Sequence, residues 1–432
     1  MYYFIGIKGT GMAALALMLD SLGYDVLGSD LEKHFFTEDN LVKRNIKILS
    51  FSAENIKDDM TVIIGNAFLE DFEEVIAARN NKTCKVYRYH EFLGELMKKY
   101  ESYSVCGSHG KTTTTGLLSS MFSKKFNEAY LIGDGTGKIE KNSELLIVES
   151  CEFRRHFLAY YPEYAIITNI EIDHVDYFKD EVDYLNAYLE FSKNVKKAIM
   201  VFGDDLKTRE FKSDTLHYFY GMNDDNDLVA KNLVESSNSM EFDVYFKKNY
   251  IGHIKLPFVG RHMLYNALGC IGIGILKGMT LEEMSIGFNT YKGVKRRYVV
   301  EEIGDDIYVD DYAHHPTEIK VTIEATRIRY PNKKIVAIFK PHRTGRVYYF
   351  KEEFKEALSL ADYVYLCDFT SIDDQEEGID IDIRYLQKDI ENALVVSEDI
   401  DGAKLLRKHQ DVVFLFMSSK DIYDLANLLK SL

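Results

Sequence analysis

The stretch that organises this chain is Ser104-Val-Cys-Gly-Ser-His-Gly-Lys-Thr-Thr-Thr-Thr-Gly116. An apolar run ends at Cys106. Gly107 and Gly110 then free the backbone for tight φ values and close approach to a ligand. Lys111 follows at once, and Leu117, Leu118, Met121 and Phe122 come at helical spacing. This predicts strand, glycine loop and helix N-terminus. Loop amides and helix dipole together favour a bound phosphate. Lys111 is placed to reach the β- and γ-phosphates of a nucleotide, and the Thr112 hydroxyl to ligate Mg²⁺. The usual phosphate-loop pattern has a glycine five residues before the second one. Val105 stands there instead, so a shorter Gly-x-x-Gly-Lys-Thr form remains. Four consecutive threonines are poor helix formers, and a mere glycine turn leaves them unexplained. ATP is the expected ligand.

Working outward, the 432 residues suffice for two to four domains, and 46% hydrophobic content is enough for proper cores. The net charge of −16 argues against a nucleic-acid partner, which would usually meet a basic face. Five scattered cysteines, none in Cys-x-x-Cys spacing, suggest neither a disulfide framework nor a zinc site. With no signal-like segment and no apolar run of spanning length, the expectation is a cytoplasmic protein without membrane insertion.

Tyr2–Ile7 reads as a buried strand, followed by Lys8-Gly-Thr-Gly11 and an Ala/Leu helix over Met12–Leu22. Gly9-x-Gly11-x-x-Ala14 resembles the dinucleotide fingerprint, with Asp30 spaced to meet a ribose. By itself it marks a phosphate-bearing ligand without saying which. Further α/β alternation closes a Rossmann-like domain near residue 100. In the second domain, strands at Leu145–Val148 and Ala165–Thr168 have the continuous apolar runs of a covered parallel sheet. Glu149, Glu152 and Asn169–His174 lie just past their C-terminal ends, where open α/β sheets place ligands. Residues 215–256 alternate polar and apolar and predict a β-rich insertion; Gly260–Leu276 returns to helix. From about Gly293, strand and helix alternate again, with helices expected over Thr317–Arg329 and Tyr348–Leu360. The expected architecture is therefore α/β in three domains. Residues 1–100 form an N-terminal Rossmann-like domain, 101–293 a central P-loop ATPase-type parallel sheet with the β-rich insertion, and 294–432 a C-terminal Rossmann-like domain. Two glycine loops in tandem with a third α/β unit point to an ATP-driven transfer or ligation.

With these residues placed, the sequence resembles the Mur ligase family of bacterial cell-wall synthesis over essentially its whole length. The resemblance rests on Gly6-Ile-Lys-Gly-Thr-Gly-Met12 with Gly28-Ser-Asp30, and on Gly107-Ser-His-Gly-Lys-Thr-Thr113. Glu149-Ser-Cys-Glu-Phe-Arg-Arg-His-Phe157, Thr168-Asn-Ile-Glu-Ile-Asp-His174 and Gly260-Arg-His262…Asn266-Ala267 continue it. Gly293-Val-Lys-Arg-Arg297, Asp310-Asp-Tyr-Ala-His-His-Pro-Thr-Glu318 and Pro341-His-Arg343…Arg346 complete it.

The resemblance implies ATP-dependent joining of L-alanine to the lactyl carboxylate of UDP-N-acetylmuramate through an acyl phosphate. It implies that the first domain binds the UDP-sugar through Gly9, Thr10, Gly11, Met12, Ser29 and Asp30. ATP would be held by Gly107, Ser108, His109, Gly110, Lys111, Thr112, Thr113, His262, Asn266, Arg297 and Asp311. Thr112 and Glu152 would hold one Mg²⁺ and His174 a second. Lys111, His174, His315, Arg343 and Arg346 would form the catalytic set, the two arginines clamping phosphate or the amino-acid carboxylate with their guanidinium forks. Two departures stand out. Met263 follows His262 where the family often has Asn, and Ser418-Ser-Lys-Asp421 replaces Gly-Ala-Gly-Asp after Phe414-Leu-Phe-Met417. The acidic segment Asp368–Asp382 also differs. The competing readings are a relative that attaches a whole tripeptide to the same nucleotide sugar, an NAD-dependent oxidoreductase resting on the first glycine loop, and a non-catalytic nucleotide sensor. Oligomeric state is not legible.

Overall fold

The computed structural model describes residues 1–174, 177–370, 374 and 378–432; six residues of the acidic segment 368–382 thus lie outside the described residues. Three parallel-dominated sheets, each flanked by helices, make a three-domain α/β fold. The first sheet contains β1 (Tyr2–Ile5), β2 (Val26–Ser29), β3 (Lys47–Leu49), β4 (Thr61–Ile64) and β5 (Lys85–Arg88), in the order β3-β2-β1-β4-β5. All its pairings are parallel. Tyr3, Phe4 and Ile5 are completely buried, as continuous apolar strands in a doubly covered sheet must be.

The central sheet has ten strands: β6 (Glu101–Cys106), β7 (Glu128–Leu131), β8 (Gly137–Lys138), β9 (Leu145–Glu149), β10 (Tyr164–Ile167), β11 (Ala198–Phe202), β12 (His217–Gly221), β13 (Leu228–Glu235), β14 (Met240–Phe246) and β15 (Asn249–Leu256). Their order is β15-β14-β13-β12-β11-β10-β6-β9-β7-β8. The parallel register sets Cys106 opposite Ile167 and Val105 opposite Glu149. The C-terminal ends of β6, β9 and β10 therefore share one edge, and the loops leaving them converge.

The third sheet runs β16 (Val299–Ile303), β17 (Asp306–Asp311), β21 (Val412–Met417), β18 (Lys334–Phe339), β19 (Tyr363–Leu366), β20 (Leu394–Val395). The last five pair in parallel, while β16 is antiparallel to β17. The helix expected over Tyr348–Leu360 is two helices, Thr344–Tyr349 and Lys351–Leu358, broken where Phe350 takes φ −112°, ψ 31°. By compactness the chain forms two units. One is Met1–Asn232, Asp243–Ile254 and Tyr265–Tyr291; the other is Leu233–Phe242, Lys255–Leu264 and Lys292–Leu432. Among the described residues no helix is long and apolar enough to cross a membrane.

Candidate active site

The loop after β6 leads into a helix over Lys111–Phe122. Gly107 has φ 133° and Gly110 φ 78°. A Cβ on Gly107 would stand 2.1 Å from Thr168 Oγ1, and one on Gly110 2.8 Å from Asn266 Oδ1. Both glycines are thus required by backbone angle and by space. Asn266, in the helix Arg261–Leu276, packs directly on the loop. The residues after β10 brace it from the other side. Asn169 Oδ1 accepts from the His109 amide at 2.9 Å and its Nδ2 donates to the His109 carbonyl at 3.1 Å; Thr168 Oγ1 donates to that carbonyl too. The Ser108 hydroxyl donates to the Glu171 carbonyl, accepts from the Glu171 amide at 2.9 Å and meets Tyr184 Oη at 2.9 Å. His109 Nε2 lies 3.4 Å from a Glu171 carboxylate oxygen. The threonine run is accommodated by burial of Thr114 and Thr115, the latter donating to the Lys111 carbonyl one turn back at 2.8 Å.

Lys111 Nζ donates to the carbonyls of Gly107 (2.5 Å) and Ser108 (2.9 Å) and pairs with Glu152 at 3.0 Å. Burial opposes its charge, but Glu152, Cys151 and Glu149 together raise its pKa, so Lys111 is a cation throughout the physiological range. The Thr112 hydroxyl donates to Glu149 Oε1 at 3.0 Å, and Glu149 Oε2 accepts from the Gly133 amide at 2.6 Å. Of the expected metal set, the partner brought against Thr112 is thus Glu149, a residue the sequence reading did not include among the metal candidates. Glu152 is brought instead to Lys111, with His174 Nε2 at 3.9 Å. Arg154 and Arg155 (φ 51° and 58°) turn the chain sharply after Glu152, and His174 itself has φ 54°. A hydroxyl and a carboxylate at the N-terminus of the helix Lys111–Phe122 form a hard oxygen donor set, which suits Mg²⁺. Thr113 opens the same helix turn.

In the first domain, Gly9 caps and Thr10 begins the helix Thr10–Ser21, and Met12 is buried. A Cβ on Gly11 would meet Tyr89 Oη at 2.6 Å. Asp30 accepts from the Lys8 amide at 2.7 Å and the Leu31 amide at 2.8 Å. The Ser29 hydroxyl donates to Glu74, a fully buried carboxylate that also accepts from Tyr3 Oη at 2.9 Å and the Ser52 amide at 3.0 Å. Asp30 and Ser29 thus knit strand ends together in this structure, and the Ser29 side chain points into the interior.

The second unit holds the remaining candidates. Asp311 ends β17 and accepts from the Tyr298 amide at 2.7 Å and the Ala313 amide at 2.8 Å. Burial pushes its carboxyl up to about 6 against the pull of Arg297. Arg297 lies 3.4 Å from Glu318 and over the Tyr312 ring. His315 caps the helix Pro316–Arg329 through a capping box with Glu318, whose carboxylate also takes the His314 amide at 3.0 Å. Burial lowers His262 to about 4, so it is a neutral imidazole at pH 7. Arg343 caps the helix Thr344–Tyr349 at φ 67°, its amide donating to Asp374 at 3.1 Å; Arg346 is buried and donates to the His342 carbonyl at 3.3 Å. Arg296 donates to the carbonyls of Ser418 (2.9 Å) and Lys420 (2.8 Å), and Ser419 Oγ meets His342 Nδ1 at 3.1 Å. The departure at Ser418–Asp421 is thus a loop tied to the segment carrying Arg343.

Three family models cover the chain in order. The Mur ligase family catalytic domain matches residues 1–101, the Mur ligase middle domain 105–274, and the Mur ligase glutamate ligase domain 295–419. Among solved structures, the UDP-N-acetylmuramate-alanine ligase MurC of Thermotoga maritima is 25% identical with a TM-score of 0.82, covering 100% of this chain and 98% of its own. A murein peptide ligase of Psychrobacter arcticus is 21% identical with a TM-score of 0.67, covering 100% and 98%. MurF of Thermotoga maritima in complex with ADP is 19% identical with a TM-score of 0.67, covering 94% of each chain. With all three of its domains matched in order, the chain belongs to the Mur ligase family, ATP-dependent ligases that form amide bonds in peptidoglycan synthesis.

Proposed function

We propose that this enzyme joins L-alanine to the lactyl carboxylate of UDP-N-acetylmuramate, releasing ADP and phosphate, in the cytoplasm. The observation that carries the reading is the full-length likeness to an alanine-adding ligase together with Lys111 and Thr112 at the mouth of a braced phosphate loop. Residues 1–100 take the UDP-sugar, 101–293 bind ATP, and 294–432 supply the amino-acid side. The loop amides and Lys111 orient the triphosphate and neutralise charge as the carboxylate attacks the γ-phosphorus, positioning being the larger part of such catalysis. Thr112 with Glu149, and His174 with Glu152, are the groups that would hold Mg²⁺, which supplies further charge neutralisation on the phosphates. Arg343 and Arg346 fix the amino-acid carboxylate bidentately, so that the amine is aimed at the acyl phosphate.

A phosphate-release assay with ATP, Mg²⁺, UDP-N-acetylmuramate and a panel of amino acids tests this. Phosphate should appear only when all substrates are present, with L-alanine preferred and glycine or L-serine weak. A higher kcat/KM for the tripeptide would favour the second reading, which the murein peptide ligase likeness keeps in play. Nicotinamide turnover with any substrate would overturn both.

A further inference from the structure

Glu152 is a fully buried carboxylate with Lys111 as its charge partner. Among the described residues, its oxygens meet Lys111 Nζ at 3.2 and 3.0 Å and Tyr184 Oη at 3.3 Å, with His174 Nε2 at 3.9 Å. Tyr184 is itself held by Ser108 Oγ at 2.9 Å and Tyr188 Oη at 3.2 Å. The carboxylate is therefore fixed from both the phosphate loop and the helix Glu181–Ser192. An ammonium has three protons to donate. Gly107, Ser108 and Glu152 take all three from Lys111. Lys111 can thus bind a phosphate oxygen only by giving up one of them, and Glu152 is the one that carries charge.

We propose that Glu152 is a positioning residue that holds Lys111 in reserve. It draws the ammonium across the loop, and a triphosphate must exchange this ion pair for its own. The exchange leaves a buried carboxylate without its cation, which is costly unless a new one arrives. Nucleotide alone should therefore bind weakly, and nucleotide with Mg²⁺ well. This rests on Lys111 being the phosphate lysine of the proposed function.

The test is calorimetric titration of the whole protein with ATP in EDTA, and again with Mg²⁺. Glu152→Gln should bind metal-free ATP at least about tenfold more tightly than the parent. Glu152→Asp keeps the charge but withdraws it by one methylene, and should also tighten metal-free ATP several-fold; it carries the test alone if the Gln variant does not fold. Both gains should vanish in a Lys111→Gln background. No tightening in either variant, or equal tightening with Lys111→Gln, which would signify plain charge repulsion, overturns the proposal. If the parent binds no ATP even with Mg²⁺, or binds it equally well after Lys111→Gln, the ATP assignment of this loop fails instead.

Discussion

Lys8 and Lys111 each stand beside a glycine pair at the end of a parallel strand, and each donates to two backbone carbonyls and pairs with one glutamate, but the partners differ. Lys8 precedes its glycines. Its Nζ donates to the Leu31 carbonyl at 2.8 Å and the Lys33 carbonyl at 3.0 Å and pairs with Glu38 at 2.8 Å, leaving the side chain 4% exposed. Lys111 follows its glycines and opens a helix, and its ammonium folds back onto the Gly107 and Ser108 carbonyls of its own loop; the side chain stays 15% exposed and its charge partner is the fully buried Glu152. The lysine before the turn ties its loop to a distant segment and to a partly exposed carboxylate, whereas the one after it is held within its own loop by a buried one. The strand-end carboxylates differ too: Asp30 serves two amides, whereas Glu149 serves one amide and the Thr112 hydroxyl.

The largest expected effect breaks the comparison at the lysines. Lys111→Ala should lower kcat/KM by about 10³, roughly 4 kcal/mol of transition-state stabilisation, and should also lower the melting temperature, because it leaves the fully buried Glu152 without its cation. Near-normal turnover would remove Lys111 from the chemistry. Lys8→Met should cost stability without that loss of chemistry. Loss of two charge-assisted carbonyl bonds and a partly exposed ion pair costs about 3 kcal/mol of stability, measurable by urea unfolding, while activity falls only with the folded fraction.

Asp311 extends the contrast to a carboxylate that serves amides in the second unit. Its carboxyl sits at about 6 in the folded chain and near 4 when unfolded, so the folded chain holds the proton more tightly. That stabilisation is present at the acid end and is lost as pH rises from about 4 to about 6. Asp311→Asn should flatten this segment of the curve of unfolding free energy against pH, whose amplitude is about 2–3 kcal/mol. An unchanged slope would assign it to other groups.

Gly11→Ala probes the first loop more gently. The new methyl meets Tyr89, costing about 2 kcal/mol of stability by overpacking, and Tyr89→Leu should restore much of it. Failure of that rescue would show that the methyl disturbs the loop itself. The smallest effect is at Arg343. Arg343→Lys should raise the KM for the amino acid about tenfold while leaving that for ATP nearly unchanged, since an ammonium lacks the guanidinium fork. Equal change in both would take Arg343 out of the amino-acid site.

Much of the fold was legible in the chain because its signals are local. Apolar runs marked β1, β6, β9 and β10, the first two ended by a glycine, and the helix expected over Thr317–Arg329 spans Pro316–Arg329. Elements resting on distant partners were not legible. β16 (Val-Val-Glu-Glu-Ile) is exposed on most of its length and exists because β17 offers it a hydrogen-bonding edge. The helix pair around Phe350 reads as one amphipathic run, and the break appears only in the backbone.

By itself, then, the sequence determined the three α/β domains, the phosphate loop and the order of its motifs, since hydrophobic period and glycine placement act over a few residues. Only the tertiary structure decided which strand-end carboxylate meets which partner. Glu149 and Glu152 are three residues apart, but the chain between and after them leaves strand geometry and turns through two left-handed arginines. No periodicity survives such a turn to say where a side chain points. Glu149 reaches Thr112 and Glu152 reaches Lys111 across 37 and 41 residues of chain, and those pairings are fixed by the parallel register of β6 with β9.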